Sequence, residues 1–138
     1  MSGADFVDTD VLVYAYDATS PRKQRVAREL LKRALLGEGL TSAQVLGEFA
    51  STLLHKIAHR AGSEDVLAVL HALGPIKLVS IDADTVRRAV EAHKQYGIHF
   101  YDGMIVAAAE RAGCKRILSE DFHDGQDYFG VTAENPFR

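Results

Sequence analysis

The apolar positions of this chain fall into short runs and helical stripes, separated by glycine, proline and capping residues. Phe6-Val7 closed by Asp8 reads as a buried strand, Asp5 to Asp8, that ends at an acid. A turn or short helix follows from Val11 to Tyr16. Pro21 suits the first turn of a helix capped by Ser20, with Val26, Leu30, Leu31, Ala34 and Leu35 at helical spacing and Gly37 and Gly39 at its end. Leu40-Thr41 is a short strand, and Ser42 caps a helix whose apolar face is Val45, Leu46, Phe49, Leu53 and Ile57. Gly62-Ser63 breaks the chain, and Ser63 caps a third helix that stops at Gly74-Pro75.

Ile76 to Ile81 reads as a second strand. Asp82 or Asp84 opens a fourth helix carrying Val86, Ala89, Val90 and His93, and Gly97 ends it. A fifth helix starts at Asp102, runs from Met104 to Arg111 and closes at Gly113. Arg116 to Ser119 is a third clear strand, and Tyr128 to Thr132 a last one. Strands alternating with helices imply right-handed crossovers and an α/β fold, with a central parallel sheet of about four to five strands and helices on both faces. Sites in such sheets form beyond the carboxyl ends of the strands, at a topological switch point.

Composition narrows the class. The 138 residues contain no repeat or low-complexity linker, so residues 1–138 read as a single domain. Hydrophobic residues make up 47%, yet no run approaches the roughly 20 apolar residues of a membrane helix. The single cysteine, Cys114, excludes an internal disulfide and reads as a packing residue; with no leader-like start, the expected compartment is the cytosol. A formal net charge of −3 argues against coating nucleic acid by bulk electrostatics, but is compatible with an acidic site beside a basic patch.

The chemistry lies in the acids. Asp8 and Asp121 each follow a strand, which sets both on one edge of the sheet. Glu48 sits beside an apolar helix face, where a buried charge needs a partner. Asp102 reads locally as a helix N-cap. Carboxylates brought together repel unless a cation neutralises them. Oxygen ligands of this kind suit Mg²⁺ or Mn²⁺; the six histidines lack the spacing of a zinc site.

Four segments carry a resemblance. Phe6-Val7-Asp8-Thr9-Asp10-Val11-Leu12-Val13-Tyr14 resembles the opening strand motif of PIN-domain proteins, in particular the VapC-type toxins. The stretch from Leu40 to Phe49 around Glu48, the stretch Tyr101-Asp102-Gly103-Met104-Ile105-Val106-Ala107-Ala108-Ala109, and Ile117-Leu118-Ser119-Glu120-Asp121-Phe122 resemble the second, third and fourth motifs, in family order. The resemblance implies a PIN-like fold and cleavage of single-stranded RNA with Mg²⁺ or Mn²⁺ held by Asp8, Glu48, Asp102 and Asp121. It also implies a homodimer and a cognate antitoxin whose C-terminal segment enters the active-site groove. Asp10 stands where the family often has asparagine, so it either adds charge to the site or points away. Asp124 is a candidate outer ligand and Ser119 a candidate supporting hydroxyl. Glu48 is the candidate to orient or deprotonate the attacking water.

Substrate contacts have candidates of their own. Arg22, Lys23, Arg25, Arg28, Lys32 and Arg33 make one helix strongly basic. Tyr14, Tyr16, Phe100 and Tyr101 neighbour the motifs and are candidates to stack on bases, and His99 is a weak candidate general acid. Two other readings compete. Asp8-Thr9-Asp10-Val11 also matches the nucleophile loop of haloacid-dehalogenase-type phosphatases, with Thr41 or Ser42, Lys115, Asp121 and Asp124 in the remaining roles. The chain also fits a PIN-like module that binds RNA or protein without cutting.

Overall fold

The computed structural model describes residues 3–56 and 61–138. Six strands form one sheet: β1 (Asp5–Val7), β2 (Gly39–Ser42), β3 (Lys77–Val79), β4 (Arg116–Leu118), β5 (Asp127–Tyr128) and β6 (Val131–Glu134). Their order is β3-β2-β1-β4-β6-β5, and every neighbour is parallel except the β5–β6 pair. Six helices flank the sheet: α1 (Thr9–Ala15), α2 (Pro21–Arg33), α3 (Ala43–His55), α4 (Ser63–Ala72), α5 (Ala83–Tyr96) and α6 (Phe100–Arg111). The strand order reverses at β1, which has β2 on one side and β4 on the other. The switch point therefore lies beyond Val7 and Leu118, which are paired in register.

The central strands are apolar on both sides, as a covered parallel sheet requires: Phe6, Val7, Ile117 and Leu118 are all buried. Val11 and Leu12 of α1, Val45, Phe49 and Leu53 of α3, and Ile105 and Val106 of α6 complete the core. Ile57, expected on the α3 face, lies outside the described residues. Cys114 is buried as expected, and burial pushes its thiol up to about 11, which keeps it protonated near neutral pH. Among the described residues no helix is long and apolar enough to cross a membrane.

Several local expectations hold. Ser42 caps α3 through the Val45 N–H, and Asp82 caps α5 in a reciprocal box with Thr85. Gly113 follows α6 at φ 74°, in the left-handed region. Others change. Gly62, not Ser63, occupies the N-cap position of α4. The apolar face of α5 is Thr85, Ala89 and Ala92, while Val86 and Val90 stand exposed. Small residues win that face because α6 packs closely against it. The segment from Tyr128 to Thr132 is a hairpin rather than one strand. Phe129 and Gly130 both take positive φ (53° and 90°), the pattern of a tight two-residue turn. Phe129 is held there because its N–H donates to the Tyr96 hydroxyl (2.8 Å) and the Arg88 guanidinium lies 3.5 Å from its ring centre.

The α5–α6 contact makes a prediction. A Cβ at Gly103 would lie 2.6 Å from the carbonyl oxygen of Ala89, a backbone atom with nowhere to go. Gly103→Ala is expected to force the helices apart and cost about 1–3 kcal/mol. Urea unfolding checks this.

Candidate metal centre

Asp8 is the last residue before α1 and is buried. Its carboxylate accepts the Thr9 N–H (2.7 Å) on one oxygen and the Ser119 hydroxyl (2.7 Å) on the other. Capping the helix fixes one oxygen, and the end of β4 fixes the second. Ser119 in turn accepts the Asp121 N–H at 3.0 Å. One buried hydroxyl thus ties the two acids at the strand ends into register.

Asp10, in the first turn of α1, turns into the same place. Its Oδ2 accepts the Glu120 N–H at 2.7 Å and lies 3.3 Å from the Ser119 hydroxyl. Its Oδ1 is buried and has no hydrogen-bond partner. Carboxylate oxygens of Asp8, Asp10 and Asp121 all lie within 4.8 Å of one another. The electrostatic cost is visible in their proton affinities. Burial, chiefly, pushes Asp8 up to about 6, with Asp121 and Glu48 adding to it. Burial and then the neighbouring Asp8 push Asp10 up to about 8. Burial also raises Asp121, with Glu120 and Glu48 contributing.

Glu48 and Asp102 line the same cleft, of about 470 Å³, without joining the tight triad. Glu48 projects from α3, with Oε1 accepting the Thr9 hydroxyl (2.8 Å) and Oε2 the Gln44 amide (3.3 Å). Asp102 lies in the first turn of α6, half-buried, its proton affinity raised by burial and by Asp121. It is not the N-cap. His99 takes that position, its ring accepting the Tyr101 N–H at 3.2 Å and stacking on the Tyr101 ring. Asp102 is thereby released to face the cleft.

The four expected acids therefore converge, and Asp10 joins them. Asp124 does not: its carboxylate accepts the Asn135 N–H (2.6 Å) and pairs with Arg138, away from the cleft. The Ser119 hydroxyl is placed between two of these acids, donating to Asp8 and accepting the Asp121 N–H. The basic helix α2 is divided in its roles. Lys23 pairs with Glu120 at 2.8 Å beside the Tyr14 hydroxyl, which itself donates to Glu120 at 2.5 Å, and Arg28 donates to the Ala15 carbonyl. Arg22, Arg25 and Lys32 remain exposed. Tyr16 packs on Phe49, whereas Tyr101 is exposed beside the cleft. Sequence reasoning missed Ser51, Thr52 and Lys56, which also line the cleft. Their four-residue spacing from Glu48, in the case of Thr52 and Lys56, was the available signal.

The geometry also decides against the phosphatase arrangement. Lys115 precedes β4 and lines a hollow with Asp5 and Gly39 at the amino end of the sheet. Asp8 follows the carboxyl end of β1, about 10 Å of strand away.

The sequence profile of the PIN domain matches residues 6–123. The chain belongs to the PIN-domain family. The match spans all four acidic motifs. Solved structures share the fold over nearly the whole chain. A toxin–antitoxin complex from Klebsiella pneumoniae matches with a TM-score of 0.72 at 16% identity, covering 96% of this chain and 98% of that one. VapC20 of Mycobacterium tuberculosis, described as a sarcin–ricin-loop-cleaving toxin, matches with a TM-score of 0.69 at 22% identity, covering 94% and 99%. DNA-bound VapBC from Salmonella typhimurium matches with a TM-score of 0.69 at 14% identity, covering 97% and 98%. No curated protein sequence matches the chain. At these identities the structural likeness is one of fold.

Removing the Ser119 hydroxyl tests how the PIN centre is braced. Ser119→Ala deletes a donor to Asp8 and the acceptor for the Asp121 N–H. Metal affinity is expected to fall about 10–100-fold, as for other residues that orient ligands. Titration with Mn²⁺ measures it.

Proposed function

We propose that this chain is a divalent-cation-dependent ribonuclease that cuts single-stranded RNA, and that it is the VapC-type toxin of a toxin–antitoxin pair. The observation that carries this reading is the triad of Asp8, Asp10 and Asp121 with carboxylate oxygens within 4.8 Å, one oxygen of Asp10 being buried and unpartnered. An orphaned buried carboxylate oxygen amid like charges fits a hard cation such as Mg²⁺ or Mn²⁺. Asp8, Asp10 and Asp121 would hold it, with Glu48 and Asp102 completing the acidic lining. When bound, such an ion lowers the pKa of water and offsets charge on the phosphoryl and leaving oxygens.

The chain's own groups supply the rest. Thr9 and Gln44 fix the Glu48 carboxylate in the cleft, where it takes the proton of the attacking water. The water oxygen bonds to phosphorus as the phosphorus–oxygen bond to the leaving nucleotide breaks. Ser119 keeps Asp8 and Asp121 from drifting apart. Exposed Tyr101 offers a ring on which a base can stack.

A cognate antitoxin, a homodimer and a cytosolic setting belong to the same reading; the structural relatives include toxin–antitoxin assemblies. The test is cleavage of a mixed set of labelled RNAs by inhibitor-free protein with Mg²⁺, with Mn²⁺ and with EDTA, beside Asp8→Asn and Asp102→Asn. Cleavage that needs metal and disappears in both variants is the expected result. RNA binding without any cleavage, from folded protein, would favour the non-cutting module instead.

A further inference from the structure

Four carboxylates line the cleft, and a strand of RNA carries a negative charge at every phosphate. A cation held by the acids answers only the phosphate that is cut. The neighbouring phosphates need another source of positive charge. Among the described residues, one basic side chain lines this cleft: Lys56. It closes α3, its N–H donating to the Thr52 carbonyl. Glu48, Thr52 and Lys56 are successive members of one i, i+4 row, so the same face of α3 carries acid at one end and base at the other.

Two features suit Lys56 to that task. Its ammonium forms no ion pair with a carboxylate among the described residues, although the cleft it lines is acidic. Lys23, by contrast, is consumed by Glu120. Lys56 also stands eight residues from Glu48, about 12 Å along the helix. That separation of the two backbone positions leaves room for the two side chains to meet different phosphates of one strand.

We propose that Lys56 holds a phosphate flanking the one that is cut, setting the register of single-stranded RNA across the acids. This rests on the ribonuclease reading above. A lysine contributes a point charge without base preference, so the contact positions the strand and does not read its sequence.

The experiment is steady-state cleavage of a short single-stranded RNA with Mg²⁺ over a series of KCl concentrations, by wild type, Lys56→Ala, Lys56→Arg and Lys56→Glu. Thermal melting of each is run in parallel. Lys56→Ala is expected to raise KM about tenfold with a much smaller change in kcat, and to flatten the salt dependence of log KM by about 0.7. Lys56→Arg restores KM, and Lys56→Glu raises it further. A merely structural lysine, acting on the helix end, would lower the melting temperature and leave KM and the salt slope alone. Cleavage with KM and slope indifferent to position 56 overturns this assignment while the ribonuclease reading stands. Folded wild type that cuts no RNA overturns both.

Discussion

Asp121→Asn is expected to reduce metal-supported RNA cleavage about a thousandfold while leaving the fold intact. The loss corresponds to about 4 kcal/mol of transition-state stabilisation, in the range of removing one ligand from a catalytic cation. The fold should survive because Asp121 is the most exposed of the triad and its backbone N–H, not its carboxylate, ties it to Ser119. Asparagine keeps that N–H. Asp8→Asn is a less clean probe, because the Asp8 carboxylate also caps α1 and accepts the Ser119 hydroxyl. Single-turnover cleavage beside circular dichroism of Asp121→Asn separates chemistry from folding.

The second large effect is on stability without metal. Asp8 and Asp10 have proton affinities raised to about 6 and about 8 from an ordinary value of 3.8. Between pH 4 and pH 8 the unfolded chain therefore sheds these protons before the folded chain does. The folded state binds more protons, so stability falls as pH rises through this window. The carboxylates acting on the pair are Glu48, Glu120 and Asp121; Asp121 is raised like the pair, while Lys23 and Tyr14 hold Glu120 below its ordinary 4.5, an opposite contribution confined to the acid end of the window. Metal-free protein is expected to lose on the order of a few kcal/mol between pH 4 and pH 8, and Mg²⁺ or Mn²⁺ to restore much of it. Asp10→Asn should flatten that slope and stabilise the metal-free protein at pH 8. An asparagine oxygen still accepts the Glu120 N–H, and the charge is gone. The same variant should bind metal more weakly. Denaturant unfolding across this pH range, with and without Mn²⁺, tests both statements.

The contrast between Asp8 and Asp10 shows what the sequence reveals and what it conceals. Asp8 follows two apolar residues, so its place at a strand end is a local fact. In a parallel sheet that is enough to set it beside Asp121, and the acids of the β1 and β4 ends are legible for this reason. Asp10 is two residues further on, in a helix whose orientation depends on packing. Its orienting N–H comes from Glu120, 110 residues away. No local pattern announces that contact. Asp102 is a similar case: its type suggests a cap, but the helix starts one turn earlier at His99, and the acid is freed.

Other departures share this cause. Asp124 looks like an outer ligand by its nearness to Asp121, but Asn135 and Arg138 from the end of the chain claim it. The β5–β6 hairpin turns on Phe-Gly, a pair without the usual turn signature, and is held by Tyr96 and Arg88 from α5. Val86 and Val90 have the right spacing for a core face, but close packing on α6 selects the alanines. The order of strands and helices was legible because hydrophobic period and capping residues are local. The finer matter of which polar groups meet was not, because contacts distant in sequence decide it.

Calorimetric titration of Mn²⁺ into metal-free protein at neutral pH, beside Asp8→Asn, Asp10→Asn and Asp121→Asn, tests most directly whether these acids are a cation site. Saturable binding that weakens at least tenfold in each variant is the predicted result. Absence of saturable binding by folded wild type, or binding indifferent to all three substitutions, would contradict it.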